Sequence, residues 1–95
     1  MVLNDSLEIK NYMEVCVFNA LDKVLTSLGS CTCDICKLDV MAMALNNLPP
    51  KYVVTSRGEL YSKINNLRHQ FDVDITAAIT SASVLVSRNP RHDLV

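Results

Sequence analysis

The chain of 95 residues is long enough for one small domain, and 49% hydrophobic with 20% charged residues is a globular composition. Two glycines and three prolines supply too few turns for a β-sandwich or barrel, which needs a turn about every eight to twelve residues. A net charge of −1 at pH 7 excludes a strong general attraction to DNA or to an anionic membrane.

The first predicted element is a helix over residues 5–28. Asp5 and Glu8 have the spacing of an N-terminal capping pair, and Gly29 is placed to end the helix. Apolar residues recur between them at helical spacing: Met13, Val17, Ala20, Leu21, Val24 and Leu28. Further apolar residues widen this stripe, so the helix needs more than one neighbour to bury it.

The second predicted helix runs from about Asp34 to Leu48. Its apolar residues share one side: Cys36, Val40, Met41, Ala44, Leu45 and Leu48. Pro49 and Pro50 end it, because proline cannot donate a helical hydrogen bond and disfavours helix in the residue before it. Residues 51–55 favour extended structure by propensity, but the sequence shows no evident partner strand. We therefore predict a connector at 51–55 rather than part of a sheet.

The third predicted helix begins at a capping-box sequence, 56–59, and ends at Asn89 and Pro90. Apolar residues keep helical spacing through it: Leu60, Ile64, Leu67, Phe71, Ile75, Ala78, Ile79, Ala82 and Leu85. Its length allows a break near residues 72–74.

The three helices carry more apolar surface than one copy can bury, so a symmetric homodimer is expected. The sequence predicts one all-α domain over residues 1–95, a compact helical bundle of three main helical stretches.

Two features predict a soluble, cytoplasmic protein. The longest uncharged run, 75–87, is too short and too polar to cross a membrane. Asp5 and Glu8 stand where a signal peptide needs basic residues followed by an apolar run.

Three cysteines, Cys31, Cys33 and Cys36, lie close together just before the second helix. A reducing cytoplasm disfavours a structural disulfide, whereas closely spaced thiolates bind a tetrahedral metal such as zinc. The helix N-terminus also favours the thiolate form that zinc requires. Two alternatives stay open. The three thiols can be reduced and metal-free, or they can include a redox pair, although no βαβ pattern surrounds them.

The fourth metal ligand has three candidates. Cys16 lies among apolar residues of the first helix and is interpreted as a buried, inert cysteine. His69 is interpreted as a surface residue in mid-helix. His92 follows the helix-ending Asn89-Pro90-Arg91 in a tail that is free to fold back, and we prefer it. Three thiolates and one histidine form a closed structural site, so no zinc enzyme is expected.

Four segments together carry a family signature: Asn11-Tyr-Met-Glu14, Cys31-x-Cys33-x-x-Cys36-Lys-Leu-Asp39, Met41-Ala-Met-Ala-Leu-Asn46-x-Leu-Pro-Pro50-x-Tyr-Val53 and Asn89-Pro-Arg-His92. They resemble the ComFB family of bacterial late-competence proteins. The resemblance implies a compact helical bundle, a homodimer, and zinc held by the cysteine cluster in at least some members. Some relatives provide a fourth cysteine just beyond a similar Pro-Arg, where this chain has His92.

The same resemblance implies a receptor for cyclic dinucleotides, chiefly cyclic di-GMP. Such a ligand needs cations for its phosphates, carboxylates or amides for guanine edges, and flat side chains for stacking. We take eight residues with this chemistry as candidate ligand contacts: Asn11, Tyr12, Glu14, Lys37, Asp39, Tyr52, Arg68 and Arg88. A two-fold symmetric ligand between two identical subunits would use each group twice. The alternative for each position is an ordinary surface or packing residue.

Two functions stay open. The first is a non-catalytic signalling receptor that binds a cyclic dinucleotide at or near a homodimer interface and regulates a partner protein. The second is a zinc-stabilised structural or adaptor protein of the competence or surface-appendage machinery, with no small ligand. An enzyme is not expected, because the sequence has no Ser-His-Asp or phosphate-loop pattern.

Overall fold

Five secondary-structure elements follow one another in the computed structural model, which describes residues 7–56 and 60–91, with side chains for 7–54, 56, 66 and 69–91. The elements are β1 (Leu7–Asn11), α1 (Tyr12–Ser27), α2 (Asp34–Asn46), β2 (Tyr52–Ser56) and α3 (Leu60–Arg88). This part of the chain is mostly helical with one small sheet. The three helical stretches are confirmed, and the all-α class needs a correction.

The correction is a two-stranded antiparallel sheet made by β1 and β2. Leu7 lies opposite Ser56, and Asn11 lies opposite Tyr52. The prediction of a connector at 51–55 is wrong because the partner strand lies about forty residues earlier in the chain, in a segment assigned to the first helix. Strand pairing joins residues far apart in sequence, so neither five-residue segment shows it alone.

α1 begins at Tyr12, and its cap is Asn11 rather than the predicted Asp5–Glu8 pair. Glu8 lies in β1 opposite Thr55, and Asp5 lies outside the described residues. The Oδ1 atom of Asn11 accepts the Met13 N–H at 3.1 Å, which caps the helix. The helix ends as predicted at Gly29, whose φ of 67° suits glycine.

The core lies between the three helices and under the sheet. Predicted apolar positions of each helix are buried there, among them Met13, Val17, Leu21, Cys36, Val40, Ala44, Ile75, Ile79 and Ala82. Val53 of β2 packs against this core from the sheet. Two predicted stripe positions with described side chains are exposed instead: Leu28, at the end of α1, and Leu85, whose neighbour Val86 is buried in its place. Leu85 lies at the edge of the apolar stripe that Ile75, Ile79 and Ala82 define.

α3 bends at Phe71, where φ is −114° and ψ is 16° inside the 29-residue helix. The break that the sequence allows near 72–74 is therefore present one residue earlier. The predicted capping box at 56–59 falls mostly outside the described residues.

Several large apolar side chains stay exposed on this single chain, including Phe18 (60%), Leu38 (63%) and Val73 (81%). The homodimer that would cover such surface stays a prediction. No helix in the described ranges has the length and apolar character needed to cross a membrane.

Candidate metal centre and ligand groove

The cysteine cluster is built by the turn that leads into α2. Cys33 is the N-cap residue of α2 and is half-buried, Cys36 lies buried in the first turn, and Cys31 is exposed in the preceding loop. Because the chain turns at Cys33, the three sulfur atoms all lie within 4.8 Å of one another. The predicted convergence of these three residues is confirmed.

The sulfur positions fit a tetrahedral metal. A zinc–sulfur bond of about 2.3 Å places two thiolates of one tetrahedral site roughly 3.8 Å apart, so a small closing movement is enough. Cys16 is fully buried in the core and lies outside this cluster, which confirms its interpretation as a core cysteine. The cluster can therefore hold a metal ion through three thiolates.

The helix N-terminus was expected to favour the thiolate form of the cysteines, but the structure favours the protonated thiol at Cys36. Burial, together with hydrogen bonds to the Cys33 and Cys31 side chains, raises the pKa of Cys36 to about 12. Three sulfurs in one place disfavour negative charge as long as no cation is present. A divalent cation reverses this preference, because it supplies the charge that a thiolate needs.

The predicted fourth ligand, His92, lies outside the described residues. The residue before it is anchored, because Arg91 donates from Nε to Oδ2 of Asp39 (2.8 Å) and from Nη2 to Oδ1 (2.6 Å). Asp39 is one helical turn after Cys36. Pro90 lines a cavity of about 170 Å³ together with Cys31 and Cys36. The chain thus approaches the cluster just before His92, whereas His69 is exposed on α3.

Three candidate ligand residues come together where β1 and β2 meet α1. Asn11, Glu14 and Tyr52 line an open groove of about 370 Å³, which they share with Glu8, Ile9 and Lys10. We call this the strand groove. Tyr52 is 67% exposed there, and Glu14 is also exposed. The groove thus offers a flat ring, carboxylates, an amide and one ammonium group.

The other candidates do not reach this groove in a single chain. Lys37 pairs with Asp22 at 2.8 Å, and Asp39 pairs with Arg91, both at the cysteine end of the fold. Asp22 lies about 16 Å along α1 from Asn11 at helical rise. Arg88 lines a separate cavity of about 380 Å³. The Arg68 side chain lies outside the described part of the structure.

Tyr12 is fully buried and therefore faces the core rather than the groove. Its hydroxyl has no hydrogen-bond partner within the described chain.

The two ion pairs at the cysteine end have the expected electrostatic effects. The hydrogen bond from Arg91 lowers the pKa of Asp39, and the hydrogen bond to Asp22 raises the pKa of Lys37.

Sequence reasoning missed Glu8, Ile9 and Lys10 as groove residues because it placed them in the first helix. A signal for them exists. Apolar and charged residues alternate from Leu7 to Lys10, and a period of two is typical of a half-buried strand.

The fold and the cluster define a small helical protein with a two-stranded sheet and a three-cysteine site. Residues 10–90 match the family described as "Late competence development protein ComFB". The "Competence protein ComFB" of Bacillus subtilis (strain 168) is 28% identical over 81 residues, which are 84% of this chain and 83% of that protein. The solved structure "Structural characterization of the late competence protein ComFB from Bacillus subtilis" matches with a TM-score of 0.75 and 27% identity, covering 93% of this chain and 100% of that chain. This chain belongs to the ComFB family of late competence development proteins.

Proposed function

We propose that this chain is a non-catalytic, cytoplasmic signalling receptor that binds a cyclic dinucleotide, chiefly cyclic di-GMP, at or near a homodimer interface. Binding regulates a partner protein by favouring one arrangement of the dimer or one partner surface. The observation that carries the proposal is the strand groove, where the exposed ring of Tyr52 stands beside Asn11 and Glu14.

The groove has the chemistry to hold one nucleotide unit. The Tyr52 ring offers a face for a purine, and base–aromatic stacking contributes about 1–3 kcal/mol per base. The Glu14 carboxylate accepts N–H groups from a guanine edge. Oδ1 of Asn11 already accepts from Met13 and Lys51, which leaves its Nδ2 group to donate to the ligand.

The size of the groove supports a dimeric receptor. Its volume of about 370 Å³ is near the lower end of ordinary ligand pockets, roughly 300–1,000 Å³. One groove therefore suits one half of a two-fold symmetric ligand, and a second copy would supply the other half. We propose that both halves of the ligand are bound in this way.

An apolar sheet face next to the groove supports the same arrangement. Leu7, Ile9 and Val54 are exposed on the face that also carries Tyr52, because Ile9 lies opposite Val54 and Asn11 opposite Tyr52. We call these four residues the strand face: Leu7, Ile9, Tyr52 and Val54. Burying it against a second copy would bring the two grooves side by side.

The remaining candidates have weaker support. Lys37 and Asp39 already pair with Asp22 and Arg91, so a ligand would share or replace these partners. Arg88 and Arg68 stay candidates for the phosphates, which the single ammonium of Lys10 in the groove does not balance.

Zinc is the metal that we propose for the cysteine cluster, with His92 as the fourth ligand after Cys31, Cys33 and Cys36. The closeness of the three sulfurs and the anchored position of Arg91 support it. In this role zinc joins the loop after α1, the start of α2 and the chain after α3, so it stabilises the fold and takes no part in a reaction.

Calorimetric titration with cyclic di-GMP tests the proposal. We expect the wild type to bind, and Tyr52→Ala to weaken binding about 5- to 150-fold, the factor that corresponds to the loss of one stacked base. Glu14→Ala should also weaken binding. Asp72→Ala, which removes an exposed acid on α3, is the matched control and should bind like the wild type. No heat at tens of micromolar nucleotide would remove the receptor function.

A zinc-stabilised adaptor protein without a small ligand is the second candidate. The observation that favours it is that Lys37 and Asp39 already have partners within the chain. Affinity purification that recovers one dominant protein partner, in the same amount with and without cyclic di-GMP, would support the adaptor over the receptor.

A further inference from the structure

The bend in α3 is not explained by a glycine or a proline within the helix. Helices kink at proline, at Gly/Ser pairs, at π-bulges or where a group from elsewhere intervenes. Residues 60–88 contain neither glycine nor proline. Phe71 nevertheless leaves helical geometry, with ψ at 16°. With the two common kinking residues absent, a contact from another part of the chain can hold the bend.

Lys51 supplies such a contact. Its Nζ atom lies 4.9 Å from the centroid of the Phe71 ring, a cation–π geometry. Lys51 is half-buried and belongs to the connection between α2 and β2. A cation–π contact at a partly exposed site is weak, so an ammonium group held in this way can be attracted elsewhere.

The backbone of Lys51 is fixed to the strand groove. Its N–H donates to Oδ1 of Asn11 at 2.8 Å, and its carbonyl accepts the Tyr12 N–H at 2.8 Å. Tyr52, the next residue, lines the groove together with Asn11. Lys51 is therefore bonded to a groove residue through its backbone and contacts the bend of α3 through its side chain.

We propose that Lys51 is a positioning residue that couples the strand groove to the bend in α3. In the bent form its ammonium group rests on Phe71. In the straight form α3 is one continuous helix, which its uninterrupted apolar spacing and its lack of helix breakers favour. A phosphate-bearing ligand in the groove draws the ammonium away from the ring, since a charge-assisted hydrogen bond exceeds a cation–π contact. The ligand step rests on the proposed function.

The ¹³Cα chemical shift of Phe71 reports its backbone conformation and tests the proposal without any ligand. Lys51→Met keeps the length of the side chain and removes the charge. We expect the ratio of straight to bent α3 to rise about 2- to 5-fold, the factor that corresponds to such a contact, with a shift of Phe71 toward helical values. Lys23→Met, on the exposed face of α1, is the control and should leave the shift unchanged.

Phe71→Leu is a second variant that removes the ring and keeps an apolar side chain. Residue 71 should move toward helical values in it as well. An unchanged bend in both Lys51→Met and Phe71→Leu would overturn the proposal.

Addition of cyclic di-GMP to the wild type tests the coupling. We expect the Phe71 shift to move in the same direction as in Lys51→Met, and to move less on addition of ligand to that variant. Binding measured by calorimetry with an unmoved Phe71 shift overturns the coupling and leaves the receptor function intact. Absence of binding overturns both.

Discussion

Tyr12 is fully buried, and its hydroxyl has no partner within the described residues. An unsatisfied buried polar group costs about 1–3 kcal/mol. We therefore expect Tyr12→Phe to raise the free energy of unfolding in urea by about 1 kcal/mol. Tyr52→Phe, at an exposed ring, should change it little. A loss of stability in Tyr12→Phe would contradict the absence of a partner.

The Asp39–Arg91 ion pair makes the stability of the fold depend on pH in the acid range. Arg91 holds the pKa of Asp39 below its ordinary value of 3.8. The stabilisation is therefore complete above that value and is lost as the pH falls through the lower pKa of the folded state. We expect Asp39→Asn to be less stable than wild type at pH 7, with a difference that shrinks between about pH 5 and pH 2.

Urea unfolding at a series of pH values measures this difference. Asp72→Asn, at an exposed acid on α3, is the matched control. A difference between wild type and Asp39→Asn that stays constant across the acid range would show that the ion pair contributes no pH-dependent stability.

At the level of secondary-structure elements, Asn11 at the end of β1 is joined through one oxygen to the first turn of α1 and to Lys51, the residue before β2. Asn11→Ala removes both hydrogen bonds, so we expect a loss of about 1–2 kcal/mol in the free energy of unfolding. Asn11→Asp keeps an acceptor oxygen and should retain most of the stability. Equal stability of Asn11→Ala and wild type in urea would contradict the role of this cap.

The N-terminus of α2 is the element that presents the cysteines, and metal binding there should stabilise the fold. We expect zinc to raise the temperature of thermal unfolding. At a free zinc concentration of 100 Kd, the free energy of unfolding should rise by about 2.7 kcal/mol. Cys33→Ser should abolish the shift. His92→Ala should reduce zinc affinity, and His69→Ala, at the exposed second histidine, should not. Equal zinc affinities of the two histidine variants would contradict His92 as a ligand.

The helices were predictable because each one carries its signals locally. Apolar spacing identified Val17, Val40 and Ile79 as core residues, and Gly29 marked the end of α1. The sheet was not predictable in the same way, because β1 and β2 are short and lie far apart in sequence. The capping pattern at Glu8 matched a local rule, but pairing with Thr55 decided its structure.

The same difference between local and long-range structure applies to the candidate site. The cysteine cluster is local, so its spacing alone predicted that the sulfurs converge. The strand groove needs β1, β2 and α1 together, so only Asn11, Glu14 and Tyr52 of its residues were found. The bend near Phe71 was expected only from the length of α3, and the contact of Phe71 with Lys51, twenty positions earlier, lies outside any local pattern.

At the level of the whole molecule, the receptor proposal depends on two copies. One groove of about 370 Å³ suits half of a cyclic dinucleotide, and the strand face beside it is exposed on a single chain. Covering that face with a second copy would contribute to dimer stability through apolar burial and would also complete the binding site. Dimerisation and ligand binding are then coupled, because each supplies contacts that the other needs.

Native mass spectrometry of the protein, alone and with cyclic di-GMP, measures chain number and bound nucleotide together. We expect a species of two chains that carries the nucleotide and grows as nucleotide is added, and we expect Tyr52→Ala to lose the nucleotide. A monomer that stays unliganded at tens of micromolar nucleotide would contradict the account.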